Sequence, residues 1–141
     1  MEIEASFTAQ DALVAVMVAA SASDGDLGTD ELLLITRIVD TLPVFAGYDQ
    51  DRIRNVSQTV FDLLEVEDGF DALLGLVREA LPDGINETAY ALACDVVAAD
   101  GVAVITELEF LQMLRYDLSV GRLAAAAIER GARARFVRLA G

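Results

Sequence analysis

The fold turns on Ser23-Asp24-Gly25-Asp26-Leu27-Gly28-Thr29-Asp30-Glu31 and its fainter copy, Ala99-Asp100-Gly101-Val102-Ala103-Val104-Ile105-Thr106-Glu107. Each reads Asp-Gly, five residues, then Glu. Each follows a run rich in alanine and valine and precedes apolar residues at helical spacing. An offset of 76 residues carries Asp24-Gly25 onto Asp100-Gly101, Glu31 onto Glu107 and Leu32 onto Leu108. The chain therefore reads as two related helix–loop–helix units, spanning about 8–45 and about 84–120.

Helices extend outward from both copies. Thr8, with Asp11 three residues on, opens the first, and Leu13, Val14, Met17, Val18 and Ser21 recur at its spacing to about Ser23. A second runs from Thr29 to Leu42 with Leu32, Ile35, Val39 and Leu42 as its apolar stripe, and Pro43 ends it. A third covers about Asp49 to Glu65, with Ile53, Val56, Val60, Phe61 and Leu64 facing inward. Phe70 to Leu81 is the fourth, and Pro82-Asp83-Gly84 a turn. The fifth spans about Ile85 to Ala99, the sixth about Thr106 to Tyr116, with Thr106 and Glu109 at capping-box spacing. The seventh starts at Ser119 and runs through the arginine-rich end to about Arg138. No stretch alternates with period two. The expectation is a single all-α domain over residues 1–141, a compact bundle of about seven helices built from two pseudo-repeated helix–loop–helix units.

Charge narrows the function. The net charge is −14, and all ten basic residues are arginine. A nucleic-acid backbone needs a cationic face, so this partner class is excluded. Most of the acids precede Phe110, whereas Arg115, Arg122, Arg130, Arg133, Arg135 and Arg138 follow it. This basic end is expected to dock on the acidic body or stay solvated; contact with an acidic partner or anionic lipid is the sharper reading. With one cysteine, Cys94, no intrachain disulfide is available, and its alanine- and valine-rich surroundings suggest a small buried hydrophobe. The absence of histidine removes imidazole ligands and the commonest general base. There is no GxSxG, P-loop or GxGxxG pattern, so the reading is of a protein that is not an enzyme. The run Leu13 to Ala20 is too short to span a bilayer and is preceded by acids rather than a cation, which points to a cytoplasmic protein.

The two loops suggest chemistry. An EF-hand loop takes ligands at positions 1, 3 and 5, glycine at 6 and a bidentate glutamate at 12. With Asp24 or Asp100 at position 5, the glycine and the glutamate fall into place. Positions 1 and 3 are then Ala20 and Ala22, or Val96 and Ala98, so neither loop is an EF-hand. Together, Asp24, Glu31, Asp100 and Glu107 offer up to four carboxylates, an oxygen-only set suited to Ca²⁺, Mg²⁺ or Mn²⁺. Asp26 and Asp95 are candidate outer partners. Read without metal, Asp-Gly is a common turn dipeptide, and acids at a helix start are favoured by the helix dipole.

At these motifs the chain resembles the TerB family of tellurite-resistance proteins. The likeness is carried by Asp24-Gly25…Glu31 and Asp100-Gly101…Glu107 and by the alanine-rich helices before them; Ser23 stands where the family motif has alanine. It implies a seven-helix domain, a divalent-metal site at Asp24, Glu31, Asp100 and Glu107, and a part in resistance to tellurite and other stresses. It also implies protein partners at the inner face of the cytoplasmic membrane. A metal-independent protein- or lipid-interaction module built on the arginine-rich end is the alternative.

Overall fold

A computed structural model of the chain describes residues 7–21, 27–101 and 105–140, with the side chains of 105 and 106 left aside. Among these residues there are seven helices and no strand: α1 Ala9–Ser21, α2 Thr29–Thr41, α3 Arg52–Leu64, α4 Gly69–Ala80, α5 Asn86–Asp100, α6 Ile105–Asp117 and α7 Arg122–Arg135. A short 3₁₀ turn, Pro43–Phe45, follows α2. The expected all-α bundle is what forms.

The 76-residue offset holds in three dimensions. It carries the bounds of α2 onto those of α6. It also carries Gln10 onto Asn86, and both amides do the same work. Gln10 Nε2 donates to the carbonyls of Val44 and Ala46, tying the start of α1 to the end of α2. Asn86 Nδ2 donates to the Leu118 carbonyl, tying the start of α5 to the end of α6. Each unit is thus an antiparallel helical hairpin closed by an amide at the matching donor position, although the acceptors lie at different offsets past the second helix.

α1 and α5 form the centre. α1 packs against α5, α3 and α4, while α5 also packs against α6 and α7. The sequence suggests a one-sided stripe on α1. Instead Ala12 through Val18 are buried without a break, because neighbours cover α1 on several sides. Alanine at positions 12 and 15 lets those neighbours approach closely. α2 departs the other way: Ile35 and Val39 are buried, but Leu32 and Leu42 of the expected stripe are 42% and 37% exposed. α2 covers only the flank of the bundle, so half its stripe faces water.

Local signals fix the helix ends. The Thr8–Asp11 start is a reciprocal capping box: Asp11 N–H donates to Thr8 Oγ1, and Thr8 N–H donates to Asp11 Oδ2, both at 3.0 Å. α6 opens at Ile105, one residue before the expected start at Thr106, and the Thr106 side chain on which the expected capping box depends lies outside the described residues. α6 ends at Asp117, Ser119 just beyond it turns the chain at φ 57° in the left-handed region, and α7 begins at Arg122 rather than Ser119.

Candidate functional site

Both acidic loops sit at hairpin turns. In the second copy Asp100 is the last residue of α5 and is exposed, and Gly101 caps the helix at φ 82°. That conformation disfavours any Cβ, so Asp-Gly here has a backbone reason to exist. Glu107 lies in the first turn of α6 and is buried, 8% exposed. In the first copy Glu31 occupies the matching position in α2 and is half-buried. Its carboxylate folds back over Gly28, the residue before the helix. This placement suits the positive end of the helix dipole. Asp24 and Asp26 lie outside the described residues.

Among the described residues, no three acids gather closely enough to hold an ion. Glu31, Asp100 and Glu107 alone are therefore not a cation cage, and a joint site requires the loop that carries Asp24. The donor chemistry itself, carboxylate oxygen throughout, fits a hard cation. Asp95, the candidate outer partner on α5, already has a partner of its own. It accepts from Arg135 Nη2 in an ion pair, which is how the basic end docks on the acidic body. Arg138 Nη2 also reaches the Ala99 carbonyl at 3.5 Å, near the open C-terminal end of α5.

A second arrangement was not legible in the sequence. α5, α6 and α7 enclose a cleft of about 680 Å³. Three pairings between α5 and the chain from α7 onward, Tyr90–Glu129, Asp95–Arg135 and Ala99–Arg138, show that the two run parallel. Tyr90 and Cys94, one turn apart on α5, line the cleft, as do Glu129 and Arg133, one turn apart on α7. Val97, Leu108, Leu111 and Phe136 make it largely apolar.

The polar groups inside are strongly constrained. The Tyr90 hydroxyl donates to Glu129 Oε2 at 2.5 Å. Burial raises the Tyr90 phenol well above the ordinary tyrosine range, and the Glu129 acceptor adds to this. Burial likewise pushes the Cys94 thiol up to about 12, although its contact with Tyr90 pulls the other way. A thiol held so high carries almost no thiolate at neutral pH, so nucleophilic or redox work by Cys94 is disfavoured. Arg115, on α6, lines the same cleft, and its buried Nε has no hydrogen-bond acceptor among the described residues. The i, i+4 spacing of Tyr90–Cys94 and of Glu129–Arg133 was visible in the chain. Their meeting was not, because it depends on the parallel docking of α7.

A polar cluster of a different kind anchors the opposite half. Asp11, 1% exposed, accepts from Arg52 Nε at 3.0 Å, from Arg52 Nη2, and from the Tyr48 hydroxyl at 2.6 Å. Burial alone would raise its pKa. The donors from Arg52, Tyr48 and Thr8 outweigh burial and hold the carboxyl below the usual aspartate value. All its lone pairs are in use, so this cluster is a structural clasp between α1 and α3. No protein-family model, curated protein or solved structure matches the chain.

Proposed function

We propose that this chain is a regulatory or scaffold domain, not an enzyme, that binds a divalent cation through its paired Asp-Gly-x₅-Glu loops. Asp24, Glu31, Asp100 and Glu107 would supply the oxygens. As the likeness to TerB proteins implies, it would contribute to tolerance of tellurite or a related stress, in the cytoplasm and alongside protein partners at the membrane. The observation that supports this reading is the in-register recurrence of the two hairpins: the same glutamate stands in the first turn of α2 and of α6. Direct reduction of tellurite by the chain's own side chains is disfavoured, since its one thiol is buried and held protonated.

Thermal melting in EDTA, then with Ca²⁺, Mg²⁺ or Mn²⁺, is the test, on wild type and on Asp24→Asn/Asp100→Asn. A ligand at about 100 times its Kd adds about 2.7 kcal/mol to stability, a rise of several degrees. Wild type is expected to show that rise and the double variant to lack it. Indifference of wild type to every cation at millimolar levels would reject the metal reading.

A second reading rests on a separate observation. The basic end is only partly tied down, through Arg135 and Arg138, and Arg122, Arg130 and Arg133 are exposed. A metal-independent contact with an anionic lipid surface would use them. Co-sedimentation with phosphatidylglycerol vesicles in EDTA checks it, and recovery of all protein in the supernatant rejects it. Among the described residues, no helix is long and apolar enough to cross a membrane.

A further inference from the structure

The two hairpins differ where a repeat would keep them alike. The 76-residue offset places Val14, Val18 and Val39 of the first unit opposite Tyr90, Cys94 and Arg115 of the second. The three valines are core residues, 0%, 0% and 4% exposed. Their counterparts bring a phenol, a thiol and a guanidinium to the wall of one cleft. A buried donor without an acceptor is costly, and Arg115 Nε is in that position. Replacing core valines by such groups breaks a local rule, and broken rules concentrate at functional sites.

The charges select the ligand. Arg115 and Arg133 bring two positive charges to the cleft and Glu129 one negative, already engaged by the Tyr90 hydroxyl. Apart from the Gln112 amide and the Cys94 thiol the remaining wall is apolar, and about 680 Å³ lies within the usual range for small-molecule sites. An arginine presents Nε and a terminal nitrogen side by side, matching the two oxygens of a carboxylate. Arg115 lines the cleft, and its buried Nε has no acceptor among the described residues, so a carboxylate there would supply one. A dianion would meet both Glu129 and the field of a chain at −14, which favours a single negative charge.

We propose that this cleft binds a monocarboxylic acid with an apolar tail, the carboxylate paired with Arg115 and the tail lying along Val97, Leu111 and Phe136. The cleft reaches Gly101 of the second acidic motif, but none of the four candidate cation ligands lines it, and cation binding is not required for it.

The test titrates the intact chain with decanoate below its micelle concentration, using decanol as the uncharged twin. Calorimetry reads affinity, and amide chemical shifts read location. Saturable one-to-one binding is expected, with shifts centred on α5, α6 and α7 and decanol at least tenfold weaker. Arg115→Gln should weaken decanoate at least tenfold and leave decanol unchanged. Leu108 lines the cleft and is 51% exposed, so Leu108→Glu is a fold-sparing second variant that should also repel decanoate. Should Arg115→Gln not fold, the decanoate-to-decanol ratio and Leu108→Glu still decide. The proposal is overturned if decanoate does not saturate, if decanol binds as tightly, or if neither variant changes decanoate affinity.

Discussion

Asp11 is the residue on which the amino-terminal half depends most. Its carboxylate is held below the usual aspartate value, so its contribution is present above about pH 4 and is lost as pH falls through its folded pKa. Tyr48 acts at the other end of the scale. Burial, and then the Asp11 acceptor, raise its phenol, so its contribution is complete below about pH 10 and fades above that. Denaturant unfolding from pH 2 to 11 should therefore show loss of stability on both flanks. Asp11→Asn should remove most of the acid-side slope attributable to this clasp. Breaking a buried ion pair costs about 3–5 kcal/mol, but Arg52 is 37% exposed and can rehydrate, so about 2 kcal/mol is expected. Gly69 is a second sensitive residue. A methyl there would overlap the Leu63 carbonyl oxygen, a backbone atom that cannot move aside cheaply. Gly69→Ala should cost about 3 kcal/mol in chemical denaturation. At Gly101 a Cβ meets nothing among the described residues, and the φ of 82° is what it strains, so Gly101→Ala should cost about 1–2 kcal/mol. The ordering of these two glycines is the check.

Among the elements, α5 carries the most contrasting duties. One side packs on α1 and belongs to the core; the other, with Tyr90 and Cys94, faces the cleft. Because burial holds the Cys94 thiol near 12, iodoacetamide at pH 8 should label native protein far more slowly than unfolded protein. Comparable labelling rates in the two states would show that the cleft does not hold the thiol as described. α7 reports the docking of the basic end. Arg135→Ala removes the pair with Asp95, but Arg135 is 55% exposed, so no more than about 1 kcal/mol should be lost. α2 leaves part of its apolar stripe exposed. The hydrophobic pattern there named four inward residues, and two of them are partly exposed. Periodicity identifies the face that is apolar; it does not say how wide a surface waits to cover it.

At the scale of the molecule, the two hairpins repeat their backbone and diverge in their chemistry. The helix bounds of α2 and α6, and the Gln10 and Asn86 clasps, keep one architecture. Tyr90, Cys94 and Arg115 bring polar groups to a cleft of the second unit, where the matching positions of the first are buried valines. Leu114, fully buried on α6, is part of the shared frame, and Leu114→Ala should cost about 3 kcal/mol with no preference for either half, since the core is continuous.

The sequence by itself determined the helices, the repeat and the exclusions. Alanine- and valine-rich runs at helical spacing, Asp-Gly and Pro breaks and the Thr8–Asp11 box are local, and local signals survive without tertiary context. The absence of histidine and the scarcity of thiols are also properties of composition. Tertiary structure alone decided that α1 is enclosed rather than one-sided and that Asp95 serves Arg135. It also decided that Arg115, Tyr90, Cys94 and Glu129 line one cleft. These depend on which helices lie beside each other and in which direction, and packing between distant segments leaves no spacing in the chain to read.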